Sequence, residues 1–400
     1  MPSLFSASRR LICPYCYLPF QPREIKFRCT GLRGPAGEGC ERKRDEKQEQ
    51  YFGLVKPLPP AFSAKGERMA ARCPHCRGET TQRICPHCHS LLPVHFDRVD
   101  NKMIAMVGAK ATGKTVYMTV LLHELMHSVG RRFNAAVVGS DDHTRAEFSR
   151  RYEKTLYRER MLPGTTRTAR AEPRRPLVFK VTLDEQRRLR RSRNRDTITS
   201  FFDTAGEDLT SRESVELNVR YLAAADGIIL LLDPLQMRGA RKLARPGTPL
   251  PVLDEHTDSP VNVLARVTDL LYQAQQRSPQ SRVPTPIAVA FSKIDALRHT
   301  FSADSPLLWE PPSDKPCFDE ADSLAVHEYV RALLHEWEGG QIDHILTRNY
   351  TAFRYFGLSA LGDSPTENNE VDPKGIRPYR VADPFLWLLS RFGMVPTSKG

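Results

Sequence analysis

The sequence predicts an α/β fold: a mainly parallel sheet with helices on both faces and one antiparallel edge, preceded by small metal-stapled modules. Three observations predict it. Apolar strand-like runs alternate with helical runs from residue 102 onward, a Gly-rich turn joins the first strand to the first helix, and eight of nine cysteines lie before Asn101. Strands separated by helices need crossover connections, so they lie parallel and are covered on both faces.

The first strand, residues 103–107, ends at a Gly-rich turn, after which Val116, Val120, Leu121, Leu125 and Val129 recur at helical spacing. Further strands are expected at 177–183, 197–202, 227–232, 287–291 and 353–358, and helices at 213–224, 261–275, 323–337 and 384–392. The run 177–203 breaks the alternation. Two strands joined by a short polar stretch read as a hairpin, which supplies the antiparallel edge. An insertion at 141–161 reads as helical.

A chain of 400 residues exceeds one ordinary core, so two or three domains are expected. The division is 1–50 and 68–97 as small cysteine modules and 100–395 as the main domain, with the charge run 41–49 a solvated helix or linker between parts. The apolar runs 227–232 and 287–291 fall far short of the roughly 20 residues that cross a bilayer. Arg9 and Arg10 are followed by Cys13, Pro14 and Cys16 rather than an apolar stretch, so no export signal is expected and the cytoplasm is the expected compartment. A net charge of +12 permits attraction to nucleic acid or an anionic surface but identifies neither.

Gly108-Ala109-Lys110-Ala111-Thr112-Gly113-Lys114-Thr115 matches G-x-x-x-x-G-K-[ST] between a strand and a helix, the setting of a P-loop. Glycines let the loop curl so that backbone N–H groups and the helix N-terminus face a polyphosphate. Lys114 is then placed for the β- and γ-phosphates and the Thr115 hydroxyl for Mg²⁺. The main domain is therefore expected to be a P-loop nucleoside triphosphatase.

Asp203-Thr204-Ala205-Gly206-Glu207 follows the strand 197–202, Ser292-Lys293-Ile294-Asp295 follows 287–291, and Ser359-Ala360-Leu361 follows 353–358. In this order they resemble the Asp-x-x-Gly, [NT]KxD and Ser-Ala-Lys motifs of Ras-like and translation-factor GTPases. The motifs span about two-thirds of the chain. Ser292 stands where the family has Asn or Thr, and Leu361 where it has Lys. The resemblance implies GTP/GDP as the nucleotide, Asp203 as a Mg²⁺ holder, the Gly206 N–H at the γ-phosphate and Ser359 and Ala360 at the base. One Asp295 carboxylate can accept both the N1–H and the 2-amino group of guanine, and adenine offers neither there. The segment Pro384-Phe385-Leu386-Trp387-Leu388-Leu389 is also similar to a C-terminal helix of the double-GTPase-like domains of bacterial conflict systems.

The resemblance further implies a threonine that senses the γ-phosphate through Mg²⁺; Thr165, Thr166 and Thr168 are available and Thr166 is preferred. Glu207 stands where Ras-like enzymes carry a water-orienting Gln, so slow hydrolysis without a partner is expected. Arg160, Arg167 and Arg170 could act as internal arginine fingers, and none is assigned that role.

Cys73-Pro-His-Cys76 and Cys85-Pro-His-Cys88, eight residues apart, are expected to close one tetrahedral Zn²⁺ site. His75, His87 and His89 are alternative ligands. Cys13-Pro-Tyr-Cys16 begins a second site that Cys29 and Cys40 could complete. Both modules resemble zinc ribbons, which implies structural zinc and a docking surface. The arginines from Arg187 to Arg195 are expected at a hairpin tip, without aromatic residues for base stacking.

The resulting expectation is a GTP-binding, slowly GTP-hydrolysing switch that meets a protein partner through its ribbons or switch loops. An ATPase is the runner-up among enzymes. A zinc-ribbon nucleic-acid or protein adaptor that binds nucleotide without efficient hydrolysis is the rival from another class.

Overall fold

The structure, a computed structural model, describes residues 10–99, 101–109, 111–163, 175–185, 193–201, 219–253, 259–278, 280–310, 315–366 and 368–398. Its centre is a parallel sheet in the order β14–β13–β12–β8, formed by β8 (Ile104–Gly108), β12 (Gly227–Leu232), β13 (Ile287–Phe291) and β14 (Phe353–Gly357). In β12 all six residues are buried, because successive side chains of a central strand point into opposite layers. Ile228, Leu230 and Leu232 face one apolar layer, and Ile229 and Leu231 face the other.

Helices fill both layers. Of those named here, α2 (Lys114–Met126) and α6 (Asp383–Arg391) lie in the layer of Ile229. On the other side lie α3 (Pro260–Ala274), α4 (Glu320–Glu336) and α5 (Gly340–Asn349). The start of α3 is set locally: the Ser259 side chain accepts the Asn262 N–H and Pro260 occupies the first turn. In α6 every residue from Pro384 to Leu389 is buried, with Phe385 and Trp387 against Phe201 and Phe356. That burial accounts for its run of large apolar residues.

The expected hairpin forms from β10 (Leu177–Glu185) and β11 (Arg193–Phe201), paired in register from Leu177↔Phe201 to Glu185↔Arg193. It joins β9 (Ala135–Gly139) in an antiparallel three-stranded sheet. β11 lies beside β8, with the Lys102 N–H donating to Thr197 Oγ1 at 3.2 Å. The insertion is helical: Asp142–Glu147 is α-helical and Phe148–Arg158 is π-helical. Of the expected helix 213–224, the structure describes 219–224, and 219–223 are helical.

The N-terminal region consists of short strands around cysteine turns: β1 (Leu11–Ile12), β2 (Pro19–Phe20), β3 (Lys26–Arg28), β4 (Ala61–Ser63), β5 (Ala71–Arg72), β6 (Glu79–Thr80) and β7 (Arg83–Ile84). Strand β3 pairs with both β4 and β7. Lys26 and Phe27 are therefore tied by backbone to Ile84 and Arg83, a pairing that crosses between the expected modules 1–50 and 68–97. The charge run is more than solvated surface. Asp45 caps α1 (Glu46–Phe52) and pairs with Arg28 at 2.6 Å, while buried Gln48 donates to the Cys88 carbonyl at 2.6 Å.

Candidate nucleotide cleft and paired cysteine centres

The Gly-rich turn sits between β8 and α2. Gly108 has no room for a side chain, since a Cβ there would lie 2.4 Å from the Leu231 carbonyl oxygen on β12. At Gly113 the constraint is conformational, with φ at +83° where the loop turns into the helix. Thr112 is fully buried and its hydroxyl donates to the Ala109 carbonyl at 2.9 Å, holding the curl. The Lys114 ammonium reaches back over the loop to the carbonyls of Gly108 and Ala109, at 2.7 and 2.9 Å. Thr115 lies in the first turn of α2. Lys110 lies outside the described residues.

The turn after β13 comes to this loop. Ser292 Oγ donates to the Thr112 carbonyl at 2.9 Å and to the Leu232 carbonyl at 3.1 Å. A hydroxyl thus makes the bridge to the loop at the position where the resembling family has Asn or Thr. Lys293, in a left-handed conformation with φ +56°, donates to the Ala111 carbonyl at 2.8 Å and to Asp233 Oδ2 at 2.6 Å. Asp233, 0% exposed at the end of β12, also accepts the Leu235 N–H at 2.9 Å. Asp233 was not foreseen, although an acid immediately after the apolar run 227–232, one strand from the P-loop, was a readable signal.

Asp295 faces the third motif. Its Oδ1 accepts from Ser359 Oγ at 2.6 Å and its Oδ2 from Ser364 Oγ at 3.2 Å. Ser359 also accepts the Gly362 N–H at 2.8 Å, which closes the turn that follows β14. Ala360 is partly buried beside the α2 layer. A small, shallow pocket opens here, lined by Asp295, Arg298, Leu307, Ser359 and Tyr379 among others. Ser364 is a contact the sequence reading missed. The loop, the Lys293 turn and the Ser359 turn therefore converge at the carboxyl ends of three parallel strands, where open α/β sheets bind ligands. Thr166, Asp203, Gly206 and Glu207 lie outside the described residues.

The cysteines form two groups, and the grouping corrects the expectation. Cys13, Cys16, Cys85 and Cys88 make one, and Cys29, Cys40, Cys73 and Cys76 the other, with the four sulfurs of each within 4.8 Å of one another. The two neighbouring pairs Cys73/Cys76 and Cys85/Cys88 do not share a site. The reason is the long-range pairing of β3 with β7, which carries Cys85 toward the N-terminal turn, while the β5–β6 hairpin holds Cys73 and Cys76 on the other centre.

Three of the half-sites have the same construction. In each Cys-Pro-x-Cys turn the first cysteine N–H donates five residues ahead, to Leu18, Gly78 or Ser90, and the residue after the second cysteine is left-handed: Tyr17, Arg77 and His89. Sulfur–sulfur separations are 3.8 Å for Cys13–Cys88 and Cys16–Cys85, 3.6 Å for Cys29–Cys76 and 3.7 Å for Cys40–Cys73. A tetrahedral zinc with Zn–S near 2.3 Å needs edges of about 3.8 Å, so the donor set fits. Burial, then the neighbouring thiols, push the Cys13 thiol well up, while Cys88, despite burial, is pulled well down by hydrogen bonds from Cys13, Cys16 and Cys85. Four thiolates in one buried cage need a cation to coexist. His87 and His89 point elsewhere, the first toward the Pro19 carbonyl at 3.0 Å and the second to Asp45 at 2.9 Å.

A P-loop strand, a Ser-Lys-x-Asp turn laid against it and a Ser-Ala turn beyond define a domain of GTPase type. The chain belongs to the Double-GTPase 2 family, whose profile matches residues 102–329. It is 28% identical over 408 aligned residues, 96% of this chain and 99% of the other, to SaeC of Mycolicibacterium smegmatis, named as a candidate ESX-1 scaffolding and assembly protein. Among solved structures it is similar to the S. cerevisiae Ski7 GTPase-like domain bound to GTP (11% identity, 73% of this chain and 50% of that one, TM-score 0.32). It is also similar to a chain of the signal recognition particle receptor SRb-GTP/SRX complex from Chaetomium thermophilum (13% identity, 68% and 95%, TM-score 0.28). Among the described residues no helix is long and apolar enough to cross a membrane.

Proposed function

We propose that this chain is a GTP-binding switch that hydrolyses GTP slowly without a partner, and that its two cysteine centres hold structural zinc in a region that docks proteins. The observation that carries the nucleotide reading is the seating of Ser292 and Lys293 on the carbonyls of Thr112 and Ala111. It supports a cleft common to the turn that carries Asp295 and the Gly-rich loop, which separate motifs in a sequence need not share.

The residues divide the work. The N–H groups at the start of α2 bind phosphate oxygens, and Lys114 exchanges its two carbonyl contacts for them. Thr115 and Asp203 hold Mg²⁺, with Thr166 as the third contact from the switch side. Bound Mg²⁺ neutralises charge on the polyphosphate. Lys293 packs its stem along the base, and Asp295 trades its Ser364 contact for the guanine edge. Glu207, an anion where a neutral amide serves related enzymes, repels the γ-phosphate and supports slow turnover.

Binding of fluorescent GTP, ATP and xanthosine triphosphate in Mg²⁺ buffer tests this. GTP should bind more tightly than ATP by up to about 10⁴-fold, as when a buried polar group meets the wrong partner. Asp295→Asn should move the preference to the xanthosine nucleotide. Equal affinity for GTP and ATP, or an unchanged preference in the variant, would sink the assignment. The rival reading, an adaptor that binds nucleotide without turnover, is supported by the scaffolding name of the Mycolicibacterium relative. Phosphate release in single-turnover conditions separates the two. Two centres of four reduced cysteines each also support residence in the cytoplasm, where thiols persist.

A further inference from the structure

The turn 13–17, part of the centre formed by Cys13, Cys16, Cys85 and Cys88, does not face solvent. It packs on the P-loop domain at three places. Tyr15, 1% exposed between two ligands, donates its hydroxyl to Asp141 Oδ2, and Arg175 pairs with the same oxygen at 3.0 Å while lying 4.4 Å over the Tyr15 ring. Ser200, on β11, donates to the Pro14 carbonyl at 2.8 Å. Tyr17 lies 5.0 Å from Tyr221, whose hydroxyl accepts the Met106 N–H of the P-loop strand at 2.8 Å. Val178 and Ile198 complete the seat, in one apolar cluster with Cys13, Tyr15 and Cys16.

These contacts have a common position in the sequence. Arg175 follows the stretch that contains Thr166, Ser200 precedes Asp203 by three residues, and Tyr221 follows the stretch that contains Gly206 and Glu207. The turn thus meets described residues that flank, in sequence, the stretches where the sensing residues are expected, and through Tyr221 it meets the P-loop strand β8 itself. The second centre, through Cys29, Cys40, Cys73 and Cys76, belongs to a separate cluster with Phe27 and Phe62.

We propose that the domain-facing centre is a metal-dependent clamp on the P-loop domain, with Tyr15 and Ser200 as its positioning residues, so that metal occupancy and nucleotide binding are linked. The inference rests on the nucleotide-binding reading above. Cys13, Cys16, Cys85 and Cys88 would hold the metal, and the turn so closed presents Tyr15, Pro14 and Tyr17 to Asp141, Ser200 and Tyr221, the last of which meets the P-loop strand. Linkage is reciprocal: if metal raises nucleotide affinity by some factor, nucleotide raises metal affinity by the same factor. The second centre belongs to another cluster and is linked only indirectly, through the chain it shares with the first.

The test is zinc release from the full chain to a chromophoric chelator, without nucleotide and with saturating GDP or a non-hydrolysable GTP analogue. At equilibrium one of two zinc ions should be held about tenfold more tightly against the chelator when nucleotide is bound, within the range of measured couplings, and the other should change far less. Tyr15→Phe keeps the ring and the packing but removes the donor, and Ser200→Ala removes the Pro14 contact. Each should weaken nucleotide binding by about tenfold and erase the nucleotide effect on zinc release, with unchanged far-ultraviolet circular dichroism. Wild-type protein that binds nucleotide yet holds both ions with unaltered affinity against the chelator overturns the clamp alone, as do variants with wild-type nucleotide affinity. Wild-type protein that binds no nucleotide overturns the clamp together with the functional reading beneath it.

Discussion

Replacing Lys293 with Met tests whether the Ser-Lys-x-Asp turn is locked to the sheet by a buried charge. The ammonium donates to Asp233 Oδ2 at 2.6 Å and to the Ala111 carbonyl at 2.8 Å. Its side chain is 37% exposed whereas that of Asp233 is fully buried, so the penalty falls mainly on the carboxylate left behind. Asp233 keeps the Leu235 N–H on its other oxygen, which limits the loss. One charge-assisted bond contributes about 1.5–3 kcal/mol, and the exposed lysine places the expected cost near the lower end, about 2 kcal/mol. Asp233→Asn keeps an acceptor and should cost less. In the double variant the unpaired carboxylate is gone, so the two costs should not add: a coupling of at least about 1 kcal/mol is expected from urea denaturation of the four proteins. Strict additivity would refute the idea that this pair holds the turn. Because Lys293 also touches the P-loop, the single variant should bind nucleotide more weakly even where it is fully folded.

Two further outcomes follow from other parts of the molecule. Metal analysis should find two zinc ions per chain; Cys13→Ser and Cys88→Ser should each lose one ion, and Cys29→Ser should lose the other, so that Cys88→Ser combined with Cys29→Ser loses both. Loss of the same ion from Cys76→Ser and Cys85→Ser would restore the grouping by nearest neighbours. The second concerns pH. His327 and His143 are both held below their ordinary value of 6.5, in each case by burial first, with Arg354 next to His327 and Arg175 next to His143. Glu328 and Asp343 favour the charged form of His327, and Arg331 opposes it. His327 must also stay neutral to accept the Tyr355 N–H on Nδ1 at 3.0 Å. The unfolded chain then takes up protons that the folded chain refuses, so stability is lost as pH falls below about 6.5. Thermal melts between about pH 7.5 and about pH 5.5 should show the decline, and His327→Gln should lessen it; a flat profile would show that these histidines are not linked to folding.

Much of the candidate cleft's layout was legible because its signals are local. A glycine pair, a lysine and a threonine at fixed offsets between a strand and a helix require no knowledge of distant residues, and the strands themselves are short apolar runs. The turn at Ser292 was legible for the same reason. What escaped was long-range or weakly patterned. β9 is a short strand of small residues that buries only Val137 and Gly139. α5 is polar for most of its length and buries only Ile342, Asp343 and Leu346. The charge run hid two interior residues, Asp45 and Gln48, because their partners Arg28 and Cys88 lie far away in sequence. Cysteine grouping was illegible for a related reason: spacing says which thiols share a turn, whereas strand pairing decides which turns meet.

The same pairing nests one centre within the sequence span of the other, and so sets an order of assembly. Cys16 and Cys85 are 69 positions apart, and within that interval Cys29 and Cys76 are 47 apart. With metal at both centres, as proposed, closing the enclosed one first leaves, taking 47 from 69, 22 positions of untethered chain for the enclosing centre to bring together. Loop-closure entropy makes that second step easier by about 1 kcal/mol, roughly fivefold in equilibrium constant. Newly made chains should therefore load metal from the inside of the nest outward, and a chain starved of the ion would stall with its N-terminal turn unlatched from the main domain.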